Sequence, residues 1–196
     1  MPSLVGSEMC IRDRHILYLF YHSLEAPAMK SKAYLYLSAL ATVILGTLLH
    51  FTYQWSGRNP VIGIFSAVSE STWEHLKLLA IPMLLFLFPE YLLYGKNYSN
   101  YLPVRFLSIL IGMSVIVITF YTYTGILGTH CLWADIGTFL LGILASLWFS
   151  LKLLPTRYLS SKMAVRLSLL GILLLIFCFA CFTFYPPNLP LFQAPS

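Results

Sequence analysis

Residues 165–184 read VRLSLLGILLLIFCFACFTF, and their single charge, Arg166, lies at the second position. A helix rises 1.5 Å per residue, so a run of this length covers the ~30 Å hydrocarbon core of a bilayer. A surface helix of a soluble protein carries a polar face opposite its apolar one. This run has no polar face, which predicts a transmembrane helix. Lipid offers no water to backbone groups, and a helix satisfies its own.

Working outward, four more stretches have the same character. Residues 33–53 are uncharged apart from His50 when protonated. Residues 73–94 carry Lys77 near their start and Glu90 near their end. Residues 102–123 begin beside Arg105. Residues 134–154 have Asp135 at one end and Lys152 at the other. The alternation of a membrane β-barrel is absent. The expected fold is all-α: a polytopic membrane protein of about five transmembrane helices, forming one domain over residues 29–196. Composition agrees, with 59% hydrophobic and 10% charged residues and a mean hydropathy of +0.79. A soluble domain has about a quarter of its residues charged. The lipid bilayer of the cell membrane is the expected partner. The net +5 charge is not a nucleic-acid signal, because the Lys and Arg residues are scattered at the ends of apolar runs.

Residues 3–14, SLVGSEMCIRDR, resemble the translation of a transposon-based sequencing adapter, in which ATG-TGT-ATA-AGA-GAC gives Met9 to Asp13. Residues 1–28 are therefore expected to be an artefact or a non-native leader, with the natural start at Met29. The rival reading is a signal peptide, but the apolar core at residues 16–21 is short for one.

Positive charge gives an expected orientation. Lys30 and Lys32 precede the first span, Lys96 and Arg105 lie between the second and third, and Lys152, Arg157, Lys162 and Arg166 lie between the fourth and fifth. The other side has Arg58 and Lys77, a split of eight against two. The N-terminus is thus expected in the cytoplasm and the C-terminus outside. Aromatic residues near the span ends, such as Trp55, Tyr94, Tyr101, Trp133 and Tyr185, are expected to form interfacial belts.

The chemistry-bearing residues sort to the outer side. His50 ends the first span, Glu70, Glu74 and His75 open the second, and His130 and Asp135 open the fourth. Converging imidazoles and carboxylates suit a metal site or a proton relay. Each also has a plainer reading. Ser71 and Glu74 match the capping box S-x-x-E, and Asp135 suits a helix N-terminus. Glu70 can be solvated or paired with Arg58, and His130 sits in an outer loop. His50 is the hardest to dismiss, because an unpaired polar group inside an apolar run is costly. His75 lies about 100° round the helix from Glu74, so the two face different points. Pro82 and Pro89 are expected to loosen or bend the second span. Residues 60–68, PVIGIFSAV, are apolar but too short to cross, and fit an interfacial or re-entrant helix or a loop packed on the bundle. The hydroxyls of residues 119–125, TFYTYTG, are placed to line an outer polar cavity. Cys178 and Cys181, three apart in an apolar run, read as packing residues rather than a metal or redox pair. No HExxH, GxSxG or P-loop pattern occurs.

The words HFTYQWSG (residues 50–57), SAVSESTWEHLKLL (66–79), FYTYTG (120–125) and FYPPNLPLF (184–192) together resemble a family of bacterial membrane proteins, domain of unknown function 6512. The resemblance runs from Met29 to the end. It implies a small polytopic membrane protein and transfers no catalytic residue or cofactor. Members of that family continue past the proline-rich end with an Asp-Pro and a glycine-rich finish. This chain ends at Gln193-Ala194-Pro195-Ser196, so the resemblance implies an altered or shortened terminus.

Two functions are compatible with these observations. The favoured one is a non-enzymatic membrane protein with an outer polar cluster, serving transport, sensing or an envelope accessory role. The alternative is a metal- or acid/base-dependent intramembrane enzyme acting on a lipid or envelope precursor.

Overall fold

The structure, a computed structural model, describes residues 31–194; the expectations for the adapter-like segment and a start at Met29 lie outside the described residues. The described chain is all-helical. Its helices are α1 (Ser31–Trp55), α2 (Pro60–Phe65), α3 (Thr72–Leu93), α4 (Tyr101–Leu127), α5 (Leu132–Leu153) and α6 (Lys162–Phe184), with short 3₁₀ turns at Gly95–Asn97 and Pro190–Phe192. Five of them, α1 and α3 to α6, are long and apolar enough to cross a membrane.

The five expected spans all exist, with ends that move by up to four residues. The largest shift is at the end of α4, which runs to Leu127 and stops at Gly128 in the left-handed conformation (φ 73°). Thr119, Thr122 and Thr124 donate their hydroxyls to carbonyls four residues back. Side chains that look polar in the sequence thus satisfy themselves on the helix and extend it into the interface.

Residues 60–68 resolve into the short helix α2 followed by a turn. Asn59 caps α2 by accepting from the Val61 N–H, and Pro60 occupies the first turn, where its missing N–H costs nothing. The segment is tied down at Ser66. Its Oγ accepts from the Tyr53 N–H at 3.1 Å and the Thr52 hydroxyl at 2.9 Å, and donates to the Leu49 carbonyl. Leu49 and Tyr53 are the two ends of one step in the α1 ladder, so a side chain from the following loop is inserted into that helix.

α3 lies at the centre of the bundle. Leu76, Leu79, Ala80, Ile81 and Met83 pack with Ile109, Met113 and Ile116 of α4, Ile143 of α5 and Phe179 of α6. Leu79, Ala80, Ile109 and Phe179 are completely enclosed. Pro82 has no N–H for the Leu78 carbonyl one turn back. At that carbonyl α1 comes closest, for a Cβ on Gly46 would lie 2.5 Å from the Leu78 oxygen. The proline-freed acceptor and the glycine that lets a neighbouring helix approach it are therefore one feature.

α4 and α5 approach nearly backbone to backbone. A Cβ on Gly112 would stand 2.1 Å from Ser146 Oγ, and one on Gly142 would stand 2.9 Å from the Gly112 carbonyl. Ser146 crosses the seam and donates to the Ser108 carbonyl at 2.8 Å. Small residues four apart, Thr138, Gly142, Ser146 and Ser150, are all buried along α5. In lipid, where apolar burial gives no net drive, such close packing and hydrogen bonding hold helices together.

Candidate functional site

Contacts place the ends of α1, α4 and α6 beside the starts of α3 and α5 at one end of the bundle. The six outer residues expected to cluster lie at this end, but they divide into three groups.

His50, Glu70 and His75 form the first. His50 is in the last turns of α1, His75 in the first turn of α3, and Glu70 in the turn between α2 and α3. His75 Nε2 lies 3.5 Å from one carboxylate oxygen of Glu70, and His50 Nε2 lies 3.9 Å from the other. The ring centroids are 5.3 Å apart. One potential ligand atom from each residue lies within 4.8 Å of the other two. Among the described residues this is the one place where three such groups converge. The Glu70 side chain is 66% exposed, and the two imidazoles are about half as open. His75 Nδ1 is 2.9 Å from the Ser71 carbonyl. A carbonyl only accepts, so Nδ1 carries the proton and Nε2 faces Glu70. His50 makes no hydrogen bond among the described residues, and its Nδ1 is buried.

Glu74 belongs elsewhere. It is buried and forms an ion pair with Lys77 at 2.7 Å. Its carboxylate also accepts from the Val68 N–H at 2.9 Å. Only half of the expected capping box forms: Ser71 Oγ accepts from the Glu74 N–H, while the Ser71 N–H goes to Ser69 Oγ instead. Lys77, expected as a near-interface charge, is fully enclosed. Its ammonium donates to Glu74, to the Gly63 carbonyl at 2.9 Å and to Thr183 Oγ1 of α6 at 2.5 Å. A lysine has three protons, and each has an acceptor.

His130 and Asp135 make the third group. Their Nδ1 and Oδ2 atoms are 3.4 Å apart, and the Tyr123 hydroxyl donates to Asp135 Oδ1. Beside them a cleft of about 350 Å³ is lined by Thr72, Tyr121, Thr124, His130 and Gln193, among others. Part of the hydroxyl-rich end of α4 thus does face a cavity, although Thr119 and Thr122 do not.

The opposite end holds a buried network that the sequence reading passed over. Arg105 and Glu90 pair at 2.9 and 3.0 Å through two nitrogens and two oxygens. Tyr94 and Tyr101 each place a hydroxyl 2.9 Å from Glu90, and Arg105 also reaches Ser150 and Ser38. Tyr94 and Tyr101, expected in an aromatic belt, are 2% exposed. Burial pushes the pKa of the Tyr94 phenol above its ordinary value; Arg105 opposes the rise and Glu90 adds to it.

Family of unknown function DUF6512 matches residues 24–195. The chain belongs to that family. No curated protein and no solved structure matches it. The DUF6512 match spans every helix described above and begins upstream of Met29.

The DUF6512 fold therefore presents two kinds of polar site. Glu74–Lys77 and Glu90–Arg105 are closed: each pair is buried and bonded to further groups, although Arg105 Nε meets Glu90 at 2.9 Å without hydrogen-bond geometry. His50–Glu70–His75 is open: the Glu70 oxygens, the His50 ring nitrogens and His75 Nε2 make no hydrogen bond among the described residues, while His75 Nδ1 is held by the Ser71 carbonyl. The i, i+3 spacing of Glu74 and Lys77 on one helix face is a signal that could have revealed their pair, which is not among the expectations above. Nothing in spacing links Glu90 to Arg105 or Ser66 to Leu49.

Proposed function

We propose that this is a multi-pass protein of the cell membrane that binds a ligand at its outer end in a sensing or accessory role, rather than an enzyme. One relationship carries the reading: the open His50–Glu70–His75 group stands at one end of a bundle whose middle is sealed by Leu79, Ala80, Ile109 and Phe179. An occupant can reach the group from the end, and the apolar core supports no polar route onward through the bundle. Glu74, the carboxylate next to the group in sequence, would be the natural general base of an enzyme. Its commitment to Lys77 and Val68 argues against that use.

Orientation follows from the charges that remain outside the core. Arg105 and Lys77 are both consumed in buried pairs, and removing them from the count leaves seven cations on the N-terminal side against Arg58. That supports a cytoplasmic N-terminus and an outer site. Membrane-impermeant thiol labelling tests it in a background with the native cysteines replaced. Glu70→Cys should label in intact cells, and Ser160→Cys only after permeabilisation. The opposite pattern would overturn the orientation.

A further inference from the structure

We propose that His50, Glu70 and His75 bind one first-row transition dication of the zinc class. Each histidine would give its Nε2, Glu70 one carboxylate oxygen, and a fourth position would stay open at the bundle end. Placement on the outer face rests on the orientation proposed above; the ion-binding chemistry does not.

The spacing is the first support. At 3.5 and 3.9 Å the imidazole nitrogens are too far from Glu70 to hydrogen-bond with it. Three groups that converge without bonding one another leave room between them. Zinc sits about 2.0–2.2 Å from nitrogen and oxygen ligands, which makes the edge of its tetrahedron ~3.3 Å. The two imidazole–carboxylate spacings, each to a different Glu70 oxygen, lie close to that edge, and the three ligand atoms lie within 4.8 Å of one another, so closing on an ion takes rotation of the histidines as well as of the more exposed Glu70.

The second support is the shell behind the ligands. Ligating histidines usually donate their other ring nitrogen to a carboxylate or a backbone carbonyl. His75 does so, with Nδ1–H directed at Ser71. Its lone pair at Nε2 is thereby fixed toward the centre of the group. The turn bearing Glu70 is held at Ser66 by α1, at Val68 by Glu74 and at Ser71 by the α3 cap. The third support is His50. Its Nε2 faces Glu70 at 3.9 Å and makes no hydrogen bond among the described residues, so that lone pair is available to an ion; the buried Nδ1 gains no partner from such binding. Two imidazoles and one carboxylate select borderline metals over Ca²⁺ and Mg²⁺, which prefer all-oxygen shells.

The test uses the full chain, purified in detergent and stripped with a chelator. Zn²⁺ is titrated by calorimetry and Co²⁺ by visible absorption, which reports nitrogen and oxygen ligation directly. One ion per chain is expected. His50→Ala and His75→Ala should each weaken binding by more than about 100-fold, beyond the range for loss of a supporting partner. Circular dichroism and melting of the stripped variants should match the parent. Should a histidine variant misfold, Glu70→Gln keeps the shape, removes the charge, and must also weaken binding. His130→Ala, in the neighbouring group, should leave it intact. Absence of stoichiometric binding, or binding lost in His130→Ala and retained in His50→Ala, would overturn the proposal. Binding together with Glu70→Cys labelling only after permeabilisation would keep the metal site and discard the orientation.

Discussion

Glu74 and Lys77 are one turn apart on α3 and meet at 2.7 Å inside the bundle, while His75 between them faces the other way. One turn of helix thus serves two purposes. Its inner face ties the α2 turn and α6 to α3, and its outer face carries His75, one of the three ligands proposed above. The closed pair holds the backbone that carries the open site.

Breaking that pair should cost more than removing it. Lys77→Met leaves a buried carboxylate, and Glu74→Gln leaves a buried ammonium; each should destabilise by about 3–5 kcal/mol. The double variant should be less destabilised than either single one. Thermal unfolding of the four proteins in one detergent measures this. Additive losses would mean that the pair is not coupled.

The α4–α5 seam gives a steric prediction. Gly112→Ala forces a methyl into Ser146 Oγ and the Gly142 carbonyl, and should destabilise by roughly 1–3 kcal/mol. Gly137→Ala is the control, because a Cβ there meets nothing within 4 Å. It should be neutral or gain up to about 1 kcal/mol from helix propensity. A matched response of the two melting temperatures would contradict the close packing.

Tyr94 should not titrate where a solvated phenol does. Its folded pKa is raised by burial, so the fold favours the neutral phenol. The stability it contributes is complete below the ordinary value near 10 and is lost as pH climbs from there through the folded value. Absorbance at the phenolate band, compared between the parent and Tyr94→Phe, should show no extra step near pH ~10. Such a step would place the phenol in water and remove it from Glu90.

The fold was readable because its signal is local. An apolar run such as residues 165–184 needs no partner to be recognised. Residues 60–68 left helix and loop open, since a short apolar run has no period to separate them. The open site was only half legible. His50, Glu70 and His75 could be assigned to one end of the molecule, but their convergence depends on Ser66 drawing the turn onto α1. Glu74 and Lys77 stood in plain view and were read singly, as a cap and a topology mark. Arg105 likewise looked like an interfacial cation. Its burial follows from Glu90, fifteen positions away on another helix, and from serines on two more.

The Ser66 insertion and the Pro82–Gly46 contact bear on how the chain is made. The Leu49 carbonyl of α1 receives its hydroxyl from a residue synthesised seventeen positions later. The Leu78 carbonyl of α3, left without its N–H by Pro82, is covered by α1. In hydrocarbon an exposed acceptor costs several kcal/mol, so each contact shields a carbonyl of the other segment, although the Leu49 carbonyl also receives the Thr52 hydroxyl from its own helix. Entry of α1 and α3 into the bilayer as one hairpin, rather than one after the other, would keep both carbonyls covered from the start.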